Sequence, residues 1–433
     1  MAGVSELEAL IETFDVAAGY LDWAAFGPLS PGVRAEMSAD AELLGTGRRA
    51  GIDLVAARVD EARELVAAVL GCAVDEVTLQ PSTTLGLTHA MQGLGGTVVL
   101  SAQEFPSLRV TARRAQDARG RLTVREIDPF DGIVTVDDVA EALNDDVTAV
   151  AVSLVDFRTG ALADLPALRE LIGDRLLIVD AMQAFGMVDV DWAAADVVCG
   201  NGYKWLRAGR GTGFARFSQR AQERIKPVLS GVSGMRGDVG AAGFPTRTDA
   251  DAYTISSGDP LAASRLAAAL RELTDAGIPA VAAELRSRAH DVMMLADHHR
   301  LPVLTPRGRH AGIVTLLPDP QDAAPLAAAL ANHGVTVTAR GATIRLSVHV
   351  GTGADSLQLL DDALAQATAS RVVVVDTQTG ELDVGVLDLL EDYELELDDD
   401  VTGVPPEAAD SADDVLVAEL EQSPIVVAPD DES

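Results

Sequence analysis

The sequence predicts an α/β protein with a mostly parallel central sheet, followed by a smaller α+β domain and an acidic C-terminal extension. In the first half of the chain, short apolar segments of strand length alternate with helical patterns, which is typical of a parallel sheet covered on both faces. After Pro227 the pattern changes to a loop-rich stretch and then to long helices mixed with strands. From Arg371 onward the chain has 20 acidic residues and one basic residue, a net charge of −19.

The first half contains most of the predicted sheet. A short strand and a Gly-Pro loop are predicted over residues 15–30, a helix over 31–45, and one further helix over 53–70, where apolar residues recur at helical spacing. The predicted strands that follow are 77–79, 97–101, 122–127, 149–154, 176–180, 197–199 and 214–217. The predicted helices between and after them are 84–93, 107–119, 136–143, 166–172 and 219–225.

The second half predicts a smaller α+β unit. Its helices are 262–276, 278–299, 322–333 and 354–369, and its strands are 311–317, 335–338 and 343–348. We therefore divide the chain into an N-terminal segment at 1–14, a large domain at 15–228, a small domain at 229–370 and an acidic extension at 371–433. The high charge of this extension predicts that it is partly disordered.

Composition excludes several classes of protein. Hydrophobic residues make up 48% of the chain, which favours a globular protein, and its net charge of −34 argues against binding nucleic acid or anionic membranes. Two cysteines, Cys72 and Cys199, are too few for a disulfide framework, and neither cysteines nor histidines show the spacing of metal ligands. We find neither a signal-peptide pattern nor a run of about 18 apolar residues. The expected location is the cytoplasm.

Two predicted strands end in side chains that suit one kind of chemistry. Asp180 closes the strand at 176–180, and Lys204 follows the strand at 197–199. A lysine in a dry cleft has a lowered pKa and can form an imine with an aldehyde cofactor, while a carboxylate can hold a protonated ring nitrogen. Gln183 lies three residues after Asp180, where its amide could donate to a phenolic oxygen. The ordinary alternative for Lys204 is a surface lysine that follows a strand, and for Asp180 it is the N-cap of a helix.

Three further elements provide groups for such a cofactor and its substrate. Ser82, Thr83 and Thr84 join a strand to a helix, and three hydroxyls at a helix N-terminus suit a phosphate dianion, although one N-cap is the simpler interpretation. Phe105 follows a strand end, where its ring would stack on a cofactor or pack in the core. Arg345 is a charge inside an apolar strand, and its expected partner is a substrate carboxylate.

Together these residues resemble the class V aminotransferase family of fold-type-I pyridoxal-phosphate enzymes, which includes cysteine desulfurases, kynureninases and isopenicillin-N-epimerase-like proteins. The resemblance covers residues 15–370 and implies pyridoxal 5'-phosphate as cofactor, the fold-type-I transferase fold and a homodimer. It also implies that Lys204 forms the Schiff base and that Tyr203 is a further phosphate ligand. The matching segments are Tyr20–Pro28, Ser82–Thr84, Asp180–Gln183, Gly202–Leu206 and Arg345–His349.

Details within the family favour one branch. The segments Glu104–Ser107 and Asp156–Gly160 resemble kynureninases, in which a phenylalanine stacks on the cofactor where desulfurases use histidine. A desulfurase would also need a cysteine shortly before the Arg345 strand, and residues 339–342 contain none.

Two positions depart from the family pattern. Gly258-Asp259-Pro260 replaces the usual Gly-Thr-Pro, and Val350-Gly351 replaces the usual Tyr-Asn.

The resemblance implies an enzyme that acts on a small-molecule α-amino acid through a Lys204 Schiff base, with class V aminotransferase as the main interpretation. One alternative is a kynureninase-like or carbon–sulfur β-lyase. Another is a catalytically silent scaffold of the same fold, whose acidic extension binds a basic partner. No metal, nucleic acid or membrane partner is expected.

Overall fold

The carboxyl ends of parallel strands define one edge of a central sheet. The computed structural model describes residues 5–129, 132–238, 240 and 242–369, and within these residues seven strands form this sheet, in the order β1-β7-β6-β5-β4-β2-β3. They are β1 (Val77–Gln80), β2 (Gly96–Ser101), β3 (Leu122–Ile127), β4 (Val147–Ser153), β5 (Leu176–Asp180), β6 (Val197–Asn201) and β7 (Gly213–Phe217). Only β7 runs antiparallel to its neighbours in this described sheet, β1 and β6. The predicted fold class is confirmed.

Alternating side chains of these strands enter two hydrophobic cores. In β5, for example, Leu177 and Val179 pack in one core, whereas Leu176 and Ile178 pack in the other. This arrangement follows from the two-residue period of a strand whose two faces are both covered. It also explains why the strands in the middle of the sheet are almost continuous apolar segments.

Thirteen α-helices are present in the described part of the chain. They are α1 (Glu6–Glu12), α2 (Pro31–Gly45), α3 (Arg49–Ala56), α4 (Arg58–Leu70), α5 (Thr83–Gly93), α6 (Pro106–Arg119), α7 (Val136–Ala142), α8 (Leu165–Ile172), α9 (Gln219–Arg224), α10 (Pro260–Ala276), α11 (Ile278–His298), α12 (Pro320–Asn332) and α13 (Ala354–Ala369). Helix α5 begins at the end of β1, and α10 packs against α2 and α4. The connection from β1 to α5 therefore places the predicted phosphate-binding hydroxyls at a helix N-terminus.

A second, smaller sheet contributes Arg345. Its described strands are β8 (Ile313–Leu316), β9 (Thr338–Arg340) and β10 (Thr343–Ser347), in the antiparallel order β8-β10-β9. Helices α11 and α12 contact this sheet, and α13 packs against both of these helices. The short turn between β9 and β10 brings Arg340 and Arg345 onto adjacent strands.

Several predicted elements are wrong in detail. The short strand predicted within residues 15–30 is absent from the described structure, because Tyr20 and Asp22 each pair at a single position, with Thr336 and Ser347 respectively. The helix predicted over 53–70 is two helices, α3 and α4, which meet at Ala57. The strand predicted at 335–338 is instead β9, and helix α1 was not predicted.

Some predictions are not tested by this structure. The acidic extension at 371–433 lies outside the described residues, and the division between large and small domains at 228/229 stays a prediction. Among the described helices, none has the length and hydropathy needed to cross a bilayer. The described residues also contain no cluster of three or more side chains that could hold a metal ion.

Candidate active site

Asp180 and Lys204 lie at the same edge of the central sheet. Asp180 is the last residue of β5 and pairs in register with Ser153 of β4 and Cys199 of β6. Lys204 follows three residues after β6 ends, and only 7% of it is exposed. The structure therefore brings together the carboxylate and the amine that the sequence singled out.

Burial, together with the positive charge of Arg345, lowers the pKa of Lys204 to about 7, while the charge of Asp180 opposes the shift. A desolvated amine near another cation favours its neutral form. Two rings lie near the amine, since its Nζ is 6.0 Å from the ring centre of Phe105 and 5.7 Å from that of Tyr203. The Lys204 amine is thus available as a nucleophile at neutral pH, and it lies close to two aromatic rings.

Two buried carboxyl groups, Asp180 and Glu104, belong to this region and interact electrostatically with each other. Burial raises the pKa of Asp180 to about 6, although the Met182 backbone N–H donates to its Oδ1 at 2.9 Å. Burial also raises the pKa of Glu104 to about 7, and both the N–H and the hydroxyl of Ser153 donate to this carboxyl group. Glu104 was not among the predicted site residues. Its position next to Phe105, as an acidic residue just after a buried strand, was the available signal.

The three predicted phosphate-binding hydroxyls have different surroundings. Ser82 Oγ caps α5 by accepting from the Leu85 N–H at 3.2 Å, and Thr84 Oγ1 lies 2.8 Å from Ser107 Oγ. Thr83 Oγ1 is buried without a hydrogen-bond partner among the described residues. A buried hydroxyl without a partner is costly, and at a helix N-terminus it is suited to receive an anion.

Gln183 connects the Tyr20–Pro28 segment to the segment Gly202–Leu206, which carries Lys204. Its Nε2 donates to the Ala24 carbonyl oxygen at 3.1 Å, and its Oε1 accepts from Trp205 Nε1 at 2.8 Å. Gly27 adds a backbone contact, because its N–H donates to the Tyr203 carbonyl oxygen at 3.0 Å. These bonds fix the Gln183 amide and position Lys204, while the predicted contact of Gln183 with a phenolic oxygen stays a prediction.

Arg345 contacts residues from three parts of the chain. Its Nη1 donates to the Phe157 carbonyl oxygen at 3.0 Å, and its Nη2 donates to Thr338 Oγ1 at 3.1 Å. Its Nη2 also forms an ion pair with Asp22 at 3.3 Å. Asp22 was not among the predicted site residues, although a carboxylate between Leu21 and Trp23 was a visible signal. The role of Arg345 toward a substrate carboxylate stays a prediction.

Asp259, which departs from the family pattern, has a local role. Its Oδ1 accepts a hydrogen bond from the Leu261 N–H at 2.9 Å, so it caps the N-terminus of α10. Aspartate is among the preferred N-cap residues, and its negative charge is favourable at this end of a helix. The replacement of threonine therefore retains a function in folding.

These residues fit the chemistry of pyridoxal phosphate. The buried lysine amine can bind its aldehyde, the Asp180 carboxyl can hold its ring nitrogen, and the unpaired Thr83 hydroxyl at the start of α5 can receive its phosphate. The Phe105 ring lies beside the amine, where a cofactor ring would stack. The predicted cofactor is therefore consistent with the side chains that this structure brings together.

The cysteines do not lie where a sulfur-accepting thiolate would be needed. Cys199 is fully buried in β6, and burial raises the pKa of its thiol well above the usual value. Burial also raises the pKa of Cys72, which follows α4, to about 11. A thiol with a raised pKa is a poor nucleophile at neutral pH.

Comparisons with known proteins identify the family. A family model described as Aminotransferase class-V matches residues 20–357. The chain is 28% identical to a probable hercynylcysteine sulfoxide lyase of Mycobacterium tuberculosis over 73% of this chain and 82% of that protein. It is also 28% identical to a kynureninase of Deinococcus radiodurans over 57% of this chain and 62% of that protein.

A solved structure shows the same fold. The apo structure of a cysteine desulfurase from Thermococcus onnurineus NA1 matches with a TM-score of 0.73 and 20% identity, covering 81% of this chain and 95% of that one. Because the family model matches most of the chain, the predicted family and cofactor are confirmed. The protein belongs to the class V aminotransferase family and is a pyridoxal-phosphate enzyme of the transferase or lyase type.

Proposed function

We propose that this protein acts on a small α-amino acid through a Schiff base at Lys204 and that it is an aminotransferase. The observation that carries the proposal is the burial of Lys204 beside Asp180, with a pKa lowered to about 7. An amine with this pKa is partly neutral at physiological pH, so it can attack an aldehyde and later accept a proton. The same amine would return that proton as a general acid.

The other site residues have distinct proposed roles. When bound, pyridoxal phosphate supplies an electron sink for negative charge at the substrate α-carbon. Asp180 holds the ring nitrogen in its protonated form, and Arg345 binds the substrate carboxylate bidentately. Ser82, Thr83 and Tyr203 contact the phosphate. Thr84, already paired with Ser107, contributes less to this contact.

A β-lyase that cleaves a bond at the substrate β-carbon is the second candidate. It is favoured by the names of the relatives, a sulfoxide lyase and a kynureninase. A local observation also supports it, since the Phe105 and Phe157 rings meet edge to face at 5.1 Å. These rings form an apolar wall beside Lys204, which suits a bulky leaving group. Both candidates use the same lysine, so the products must distinguish them.

The test is a panel of amino acids added to the purified holoenzyme. We expect an absorbance band at about 410–430 nm that shifts with substrate. Transamination converts the substrate into a 2-oxo acid with its carbon skeleton intact and transfers the amino group to an added 2-oxo acid. A lyase releases the leaving group as a separate fragment, which mass spectrometry detects. A wild type that binds no cofactor, or whose spectrum responds to no amino acid, would contradict the proposal and favour a silent scaffold.

We also infer a homodimer and a cytoplasmic location. Fold-type-I sites usually lie at a dimer interface, and both cysteines here are free thiols, as a reducing compartment maintains them. Light scattering during gel filtration tests the first inference, and a mass equal to one chain would contradict it. Cell fractionation tests the second.

A further inference from the structure

We propose that a cavity beside Arg345 binds a second anionic group, so that the preferred substrates are amino acids with a carboxylate or another oxyanion in the side chain. This inference rests on the proposed function, because it names the substrate class of the same site. Arg340 is the residue that we assign to the second anion. Arg345 keeps its proposed role toward the α-carboxylate.

Two aromatic rings, Phe157 and Phe105, connect the cavity to Lys204. It has a volume of about 230 Å³, and its lining includes Phe157, Arg158, Thr338, Arg340, Thr343 and Arg345. The Phe157 ring contacts the Phe105 ring at 5.1 Å, and the Phe105 ring centre lies 6.0 Å from Lys204 Nζ. In our proposal the substrate side chain follows these two rings from the lysine toward the cavity.

Among the described residues, the charged side chains that line the cavity are all arginines. Three arginines contribute to its wall, and no carboxylate is among the described residues that do so. Leu304 and Phe157 supply apolar surface, which suits the methylene groups of a side chain. A cavity of this composition favours an acid at the end of a short aliphatic chain over a neutral or cationic group.

The three arginines differ in whether a carboxylate already pairs with them. Arg345 pairs with Asp22 at 3.3 Å, and Arg158 pairs with Asp156 at 3.2 Å. For Arg340, no carboxylate of the described residues lies within ion-pair distance, and its guanidinium lies 5.9 Å from the Phe157 ring centre. Arg340 is exposed, and among the three arginines of this wall it is the one that we assign to a new anionic partner.

Two buried guanidinium nitrogens in this wall support an anion in the cavity. Nε of Arg345 and Nε of Arg158 have no hydrogen-bond partner within the described part of the chain, and Arg345 is only 7% exposed. Buried donors of this kind normally have a partner, and an anion bound in the cavity would supply one. The charges of Arg340 and Arg345 also both lower the pKa of Lys204, which shows that their field reaches the reacting amine.

Calorimetry with dicarboxylates tests the cavity without any reaction at the lysine. Succinate and glutarate lack an amine, so they probe the two anion positions alone, and butyrate is the one-anion comparison. We expect the wild-type holoenzyme to bind the dicarboxylates more tightly than butyrate. Arg340→Gln should weaken dicarboxylate binding about tenfold, the loss expected for one charge-assisted pair, and leave butyrate unchanged. Arg286→Gln, an exposed arginine on α11, is the matched control and should change neither.

A second arm separates this inference from the proposed function. Absorbance titrations compare aspartate with asparagine and glutamate with glutamine, and alanine reports amino acid binding that needs no second anion. If no amino acid shifts the spectrum, the proposed function fails. If alanine shifts it but acidic and amide side chains bind equally well, and Arg340→Gln leaves dicarboxylate binding unchanged, the second anion position is wrong.

Discussion

Asp22 and Arg345 are 323 residues apart in the sequence and form an ion pair, with 3.3 Å between Asp22 Oδ1 and Arg345 Nη2. Both side chains are largely buried, and Thr338 Oγ1 donates to the same carboxylate oxygen at 2.8 Å. The Tyr20–Pro28 segment therefore contributes directly to the orientation of the arginine that we assign to the substrate carboxylate.

Removing this carboxylate should destabilise the fold. We expect Asp22→Ala to lower the free energy of unfolding by about 2–4 kcal/mol, because it leaves the Arg345 charge buried without its partner. Urea denaturation measures the effect. The double variant with Arg345→Ala should lose less than the sum of the two single losses, since the pair acts as a unit. Additive losses would show that the ion pair contributes nothing to stability.

Cofactor uptake should depend on pH through Lys204. Only the neutral amine attacks an aldehyde, so the rate at which apo-protein binds pyridoxal phosphate should rise as pH increases through about 7. Arg345→Gln removes a neighbouring positive charge, and the midpoint should then move to higher pH. Stopped-flow absorbance measures this rate. The exposed Arg286→Gln variant is the control, and an equal midpoint in all three proteins would contradict the assignment.

Asp180→Asn should separate folding from catalysis. Asparagine retains an oxygen that can accept from the Met182 N–H, so the fold should be preserved by circular dichroism. We expect turnover to fall about 100-fold or more, because a neutral amide cannot hold the ring nitrogen protonated. Steady-state kinetics on the identified substrate, with cofactor occupancy measured by absorbance, checks this. Turnover close to wild type would exclude the proposed role.

The hydroxyls at the start of α5 should have unequal effects on cofactor binding. Thr83→Val removes a buried hydroxyl without a partner in the described structure, so apo-protein stability should rise or stay unchanged while affinity for pyridoxal phosphate falls about tenfold. Thr84→Val removes a hydroxyl that already bonds to Ser107, and its effect on affinity should be smaller. Thermal melts and cofactor titrations give both quantities. A stronger effect of Thr84→Val would reverse the assignment.

The sequence identified the features that depend on local pattern. Apolar segments predicted the strands of the sheet, and Asp180 and Lys204 were recognisable because Asp180 ends one buried strand and Lys204 closely follows another. The carboxyl ends of adjacent parallel strands meet at one edge, so the sequence also indicated that the two side chains are neighbours.

Features that depend on contacts between distant parts of the chain were missed. A short strand and a Gly-Pro loop were predicted over residues 15–30, yet Tyr20 and Asp22 form only isolated bridges, with Thr336 and Ser347. The importance of Asp22 follows from its contact with Arg345, more than 300 residues away, and no local pattern reports such a pairing. Glu104 was missed for the same reason, because its carboxyl accepts hydrogen bonds from Ser153 of β4.

The central claim is that Lys204 binds the cofactor covalently, and the composition of the chain makes a direct test possible. The sequence contains only two lysines, Lys204 and Lys226, and Lys226 is exposed. Borohydride reduction of the holoenzyme, followed by peptide mass mapping, should place the pyridoxyl group on the Lys204 peptide. The label should persist in Lys226→Arg and disappear in Lys204→Ala. A label on Lys226, or one that survives in Lys204→Ala, would contradict the account.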